Sequence, residues 1–222
     1  MVTKAFTTDS IHKKFLKPTY FINSNHDLVH QKAQELLQGL DPHDFVQIAV
    51  KLFYFVRDEI KYVVKFSPSY YSRKNTRASS TLARGYGYCI QKATLMASLT
   101  RIAGIPTRLH FVDMKNHLTP QSYIEKVGSN LFVYHAYPEL FLNGKWVEAN
   151  VAFDKELCER KNFPIVKFDG IKPGLFAKQD DSGKPFVEYI KDHGTFADVP
   201  YWKIMWAWKQ EYKFKLLKGF KK

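Results

Sequence analysis

Asn143-Gly144 constrains this chain more than any other pair of residues. It separates two runs of strand character, Leu131–Leu142 and Lys145–Val151. Asn-Gly is the preferred two-residue β-hairpin turn, because both positions take φ > 0. Such a turn fixes the register on either side. Phe141 faces Trp146, Glu139 faces Glu148, Tyr137 faces Asn150 and His135 faces Ala152. All of these project from one face of the hairpin. His135 and Asn150 become diagonal neighbours, with α-carbons ~7–8 Å apart and side chains within reach. A histidine oriented by an amide keeps one tautomer and presents its other nitrogen to a nucleophile. Asp154 is the other diagonal neighbour of His135 and the rival orienter, although Asp154-Lys155-Glu156-Leu157 also reads as a helix N-cap. Glu139 opposite Glu148 is unfavourable, and this register calls for a bulge or solvent exposure there.

A second feature supplies a nucleophile. Gly85-Tyr86-Gly87-Tyr88-Cys89 leads into Ile90–Ala103, a run without Gly or Pro that Gly104 and Pro106 terminate. This reads as a helix with Cys89 at its start. The positive end of the helix dipole and the unpaired N–H groups there favour the thiolate. The glycines permit a tight approach of backbone or substrate. An inert buried thiol is the competing reading of Cys89. Cys158 belongs to the helix after Asp154 and reads as a small apolar residue. Nothing suggests a disulfide between the two.

Elsewhere, Val29, Ala33, Leu36, Leu37 and Leu40 recur at helical spacing, so Asp27–Leu40 reads as a helix. Asp41-Pro42 caps and opens a second, with Phe45, Ile48, Ala49, Leu52, Phe53 and Val56 as its apolar stripe. Ile60–Val64 and Thr107–Val112 read as strands. Ser67–Arg84 reads as a long loop, and Tyr201–Leu217 as a helix. Phe168-Asp169-Gly170 and Trp202–Trp208 either cover one end of a cleft or complete the core. Helices followed by an antiparallel sheet make the class α+β. The expected organisation is one domain over 1–222, with a core at about 41–160 and a C-terminal extension at about 161–222.

With 222 residues, 45% of them hydrophobic and 16% aromatic, the chain can bury a sizeable core and is not intrinsically disordered. Its apolar runs are too short to span a membrane, and Met1–Tyr20 has no apolar signal region. A cytoplasmic protein is expected. The net charge of +13 is concentrated at the ends, because residues 85–208 carry 15 basic and 13 acidic groups. Lys213–Lys218, together with Arg73, Lys74 and Arg77, is the only support for contact with nucleic acid or anionic lipid. No nucleic-acid or nucleotide motif accompanies it, so no specific nucleic-acid partner is expected. No CxxC or HExxH spacing points to a metal, and no cofactor is expected.

The stretch Gly85-Tyr86-Gly87-Tyr88-Cys89-Ile90-Gln91-Lys92-Ala93, continuing through Arg101-Ile102-Ala103-Gly104-Ile105-Pro106-Thr107-Arg108, resembles the nucleophile segment of the transglutaminase-like superfamily. His135-Ala136-Tyr137-Pro138-Glu139, followed by Gly144-Lys145-Trp146, resembles its histidine strand pair, in the order and spacing of bacterial-type members. The resemblance covers about residues 45–155. It implies a papain-like Cys-His-Asp/Asn core, with a cysteine-bearing helix packed on an antiparallel sheet. It also implies thiol-dependent acyl transfer on an amide or peptide bond through Cys89, His135 and a third residue. Asn150 stands where the family usually has aspartate, which removes a negative charge, and Tyr137 replaces the usual tryptophan. Tyr88, Tyr134 and Tyr137 are the candidate substrate-binding residues. The substrate would be a peptide, protein or small amide. Hydrolysis is expected rather than transamidation, since no calcium-type acidic loop is visible. The alternative is an inactive transglutaminase-like module that binds a peptide or protein partner.

Overall fold

The computed structural model describes residues 12–212. The basic stretch Lys213–Lys218 and the end of the helix expected over 201–217 lie outside them. Seven α-helices and six strands are found among the described residues, besides short 3₁₀ and π turns. In chain order they are α1 (Asp27–Leu37), α2 (Phe45–Tyr54), β1 (Lys61–Tyr62), α3 (Ala78–Arg84), β2 (Tyr86–Gly87), α4 (Cys89–Ile102), β3 (Thr107–Asn116), α5 (Gln121–Val127), β4 (Leu131–Leu142), β5 (Lys145–Glu148), α6 (Lys155–Lys161), β6 (Val187–Phe196) and α7 (Tyr201–Glu211).

Four strands form an antiparallel sheet in the order β5-β4-β3-β6, and β1 pairs with β2 in a small parallel ribbon. The hairpin register follows from its turn: Glu139 pairs with Glu148, Phe141 with Trp146 and Leu142 with Lys145. Helix α4 packs against this sheet. Every residue from Ile90 to Arg101 is buried, as expected of a helix covered on all sides. One apolar cluster joins α1, α2 and α4 to the hairpin side of the sheet, including Val29, Leu52, Leu95 and Val147. A second joins α4 and α7 to β3 and β4, including Ile90, Ala97, Phe111 and Ile204. The architecture is α+β, with the helix that begins at Cys89 packed against an antiparallel sheet.

Several local expectations change. Helix α2 begins at Phe45 and is capped by Asp44, whose Oδ1 accepts from Gln47 N–H at 2.9 Å; Asp41 instead accepts from His43 N–H. The stretch 67–84 is not a loop. It holds two 3₁₀ turns and then α3. The strand expected over Ile60–Val64 shrinks to two residues. Glu139 opposite Glu148 needs neither a bulge nor water, because Glu139 is buried between Arg108 and His110, which bind its two oxygens at 2.5 Å each. The residues beyond 160 are more than a helical extension, since β6 completes the sheet beside β3. Phe168 covers no cleft; it stacks on Phe53 in the core. Along α7 the tryptophans divide, with Trp208 buried and Trp202 and Trp206 exposed.

Candidate active site

Cys89 is delivered by a short chain of constraints. Helix α3 ends at Gly85, whose φ of +71° is the left-handed conformation that favours glycine. Tyr86 and Gly87 then pair with Lys61 and Tyr62. A β-carbon at Gly87 would lie 3.0 Å from Gln91 Cβ and 3.1 Å from Thr81 Cγ2, so only glycine lets the chain pass between them. Tyr88 stands at the N-cap position, and Gln91 Oε1 accepts from its N–H at 3.2 Å. The Gln91 amide nitrogen donates to the carbonyls of Tyr70 and Asn75 at 3.0 Å. These bonds fix the helix start, and Cys89 is the first helical residue.

His135 is aimed by a β-bulge. Val112 pairs with His135 but Met114 pairs with Phe132, so Val133 and Tyr134 both stand opposite Asp113. Tyr134 takes φ +57°, a costly conformation for a bulky residue. Asp113 holds it there: Oδ1 accepts from Tyr134 N–H at 2.9 Å and contacts His193 Nε2 at 2.7 Å. The His193 ring stacks on Tyr134 with centroids 3.9 Å apart. Bulges commonly re-aim a side chain beside an active site, and the residue after this one is His135. Neither Asp113 nor His193 stood out in the sequence. An isolated Asp in a strand carries no local signal, and its role arises only when β3, β4 and β6 come together.

Asn150 Nδ2 lies 3.2 Å from His135 Nε2, and Asn150 Oδ1 accepts from Ala152 N–H at 3.1 Å. The second bond sets the first. The backbone N–H can only donate, so it draws the amide oxygen to itself and turns the amide nitrogen toward the ring. An amide nitrogen also only donates. In this orientation Nε2 is an acceptor, and the proton of the neutral ring sits on Nδ1. Both carboxylate oxygens of Asp154 are engaged elsewhere. Its Oδ1 caps α6 through Leu157 N–H at 3.0 Å, and its Oδ2 accepts from Tyr62 N–H at 2.8 Å.

Burial governs both ionisable groups. It pushes the Cys89 thiol up to about 11, although N–H groups of Ala136, Ile90 and Cys89 itself favour the thiolate. The helix start was expected to lower it, and desolvation overrides that contribution. Burial likewise pushes His135 down to about 3, and an amide donor at Nε2 does nothing to favour the charged ring. The resting site therefore holds a neutral thiol and a neutral imidazole. Cys158, also free, is buried in the core near Asp154 and Arg57.

Cys89 and His135 line one cavity of about 60 Å³, walled by aromatic residues including Tyr62, Tyr88, Tyr123 and Trp208. Of the three candidate substrate-binding tyrosines, only Tyr88 faces it. Tyr137 packs between His110 and His135. Tyr134 borders a different cleft, beside Trp202 and Trp206. Arg73 and Arg77 lie over the ring of Tyr20. Among the described residues, no helix is long and apolar enough to cross a membrane.

Comparison with known proteins follows the same residues. The family model of the transglutaminase-like superfamily matches residues 30–151, which contain Cys89, His135 and Asn150. No curated protein matches. Among solved structures, the chain resembles one from Cytophaga hutchinsonii described as a "Putative Cysteine Protease", with a TM-score of 0.50 and 16% identity. The match covers 86% of this chain and 55% of that one, so this chain spans about half the length of that protein. At that identity the likeness concerns the fold.

Proposed function

The chain belongs to the transglutaminase-like superfamily, and from that premise we propose that it is a thiol-dependent hydrolase of an amide or peptide bond, with Cys89 as nucleophile, His135 as proton carrier and Asn150 as its orienter. The observation that carries this reading is a single cavity lined by both Cys89 and His135, with Asn150 bonded to Nε2 of the histidine ring.

The neutral resting pair sets the order of events. Attack and proton transfer are coupled, because the free thiolate is costly in this enclosure. Asn150 first turns its amide. Water takes the proton of Nδ1 and delivers one to Nε2; the amide oxygen then accepts from Nε2–H of His135, and the bond to Ala152 N–H is given up, at about 1 kcal/mol. Nδ1 is now unprotonated and takes the Cys89 proton as sulfur adds to the substrate carbonyl. Backbone N–H groups at the start of α4 face the developing oxyanion. The Gln91 amide is committed to Tyr70 and Asn75 and does not take part. The imidazolium next protonates the leaving amine, and the C–N bond breaks to give a Cys89 thioester. Water adds to the thioester, giving up its proton to His135. Collapse then releases the acid and returns the proton to the thiol.

A second reading is an inactive module that binds a peptide in the same cleft. The Asn150 orientation favours it, because that orientation leaves Nδ1 protonated and unable to accept from Cys89. The test is incubation with a mixed tryptic peptide pool, with and without methylamine, scored by mass spectrometry. New carboxyl termini that vanish in Cys89→Ser support hydrolysis. Methylamide products that vanish in the same variant replace hydrolysis by transamidation. Peptides that co-purify unmodified, equally with Cys89→Ser, support the binding module instead.

A further inference from the structure

Beside the cavity at Cys89 lies a second one. It measures about 220 Å³, opens to the surface, and shares Tyr62, Val64, Tyr123 and Phe132 with the first. These four side chains are thus walls common to both. The second cavity continues over Phe153, Leu157 and Phe163, and its one charged lining residue is Lys161. The first has no Asp, Glu, Lys or Arg in its lining.

The two volumes divide the work. A space of 60 Å³ at the thiol is well below the roughly 150 Å³ that accommodates benzene. It takes a carbonyl and its adjoining carbon, and nothing larger. The neighbouring 220 Å³ is ample for a phenyl ring or a branched aliphatic group. Together they reach the lower edge of small-ligand sites, roughly 300 Å³. Their walls hold no buried charge, and the buried amide of Asn116 spends its oxygen on Leu118 N–H, so a charged substituent would lose its hydration without an ionic partner. Lys161 disfavours cationic groups further.

We propose that this apolar groove is the acyl-side specificity site, and that the preferred substrate carries an aromatic or branched aliphatic group a few bonds from the scissile carbonyl. The inference rests on Cys89 being the acyl acceptor, and its test separates the two claims.

The probes are p-nitrophenyl esters of 3-phenylpropionate, acetate, succinate and 6-aminohexanoate, with Cys89 acylation followed by intact mass and by p-nitrophenol release. The phenylpropionyl ester should acylate Cys89 at least tenfold faster than the charged esters, and faster than acetate. Leu157→Glu should erase that preference, with its iodoacetamide reaction rate as a check that the site persists. Lys161 is exposed at the rim of the cavity, so Lys161→Glu tests the groove without disturbing the core and should raise the aminohexanoyl rate relative to succinyl. Equal rates across the esters, or ratios unmoved by both variants, overturn the groove and leave the nucleophile standing. No acylation of Cys89 by any ester overturns both.

Discussion

An aspartate at position 150 would accept from Ala152 N–H and from Nε2–H of His135 at the same time, whereas the asparagine serves one of them. Burial leaves the histidine near 3 and the thiol near 11, and the neutral amide supplies no charge to offset it. Asn150→Asp should stabilise imidazolium and, through it, the thiolate. The pH midpoint of Cys89 alkylation by iodoacetamide should fall by a unit or more, with reaction at pH 7 about tenfold faster. An unchanged midpoint would mean that Asn150 does not set the charge state of the pair. In the parent protein the midpoint should lie above that of an ordinary thiol, near 8.5, opposite to what the helix start alone suggests.

Two local devices aim the site, and they differ in how far sequence exposes them. At the start of α4, replacing Gly87 by Ala pushes a methyl against Gln91 and Thr81. The variant should lose about 1–3 kcal/mol of stability in urea titration and slow Cys89 alkylation. At the bulge, Asp113→Ala leaves Tyr134 N–H without its acceptor and removes the partner of His193. With a substrate in hand, kcat should fall about tenfold or more while KM holds, because the loss falls on His135 alignment; a change in KM alone would assign Asp113 to binding. The helix start and the hairpin register were legible because Gly, Asn-Gly and the Gly104–Pro106 stop act within a few residues. The bulge was not, because a tyrosine at positive φ depends on a carboxylate from another strand. Strand β6 was also hidden: Val187–Phe196 is a largely half-buried and exposed edge carrying Lys191, Asp192 and Gly194, without the alternation that marks a half-buried strand. Helix α3, at seven residues, is too short to show a period.

The molecule carries its own pH signature. Lys92, one turn after Cys89, is fully buried and donates to the Arg57 carbonyl at 2.9 Å; burial lowers it from 10.5 to about 7. Between pH 7 and 10.5 the unfolded chain holds a proton on this lysine that the native state lacks, so stability rises with pH across that window. His135 acts likewise between its lowered value of about 3 and its ordinary 6.5, with full stability above that window and loss as pH falls through it. Lys92→Met should therefore raise the thermal midpoint most near pH 6, and the gain should shrink toward pH 10 in calorimetry. A gain independent of pH would show that Lys92 stays charged in the fold.

The whole account turns on whether Cys89 accepts an acyl group with the help of His135. The direct measurement is tandem mass spectrometry of the protein after brief exposure to p-nitrophenyl 3-phenylpropionate at pH 7.5, with His135→Ala in parallel. The prediction is a hydroxylamine-labile thioester on Cys89, formed about 10²-fold more slowly without His135, with Cys158 unmodified. Acylation of Cys89 at the same rate without His135, or acyl groups found on Cys158 and surface lysines instead, would contradict it.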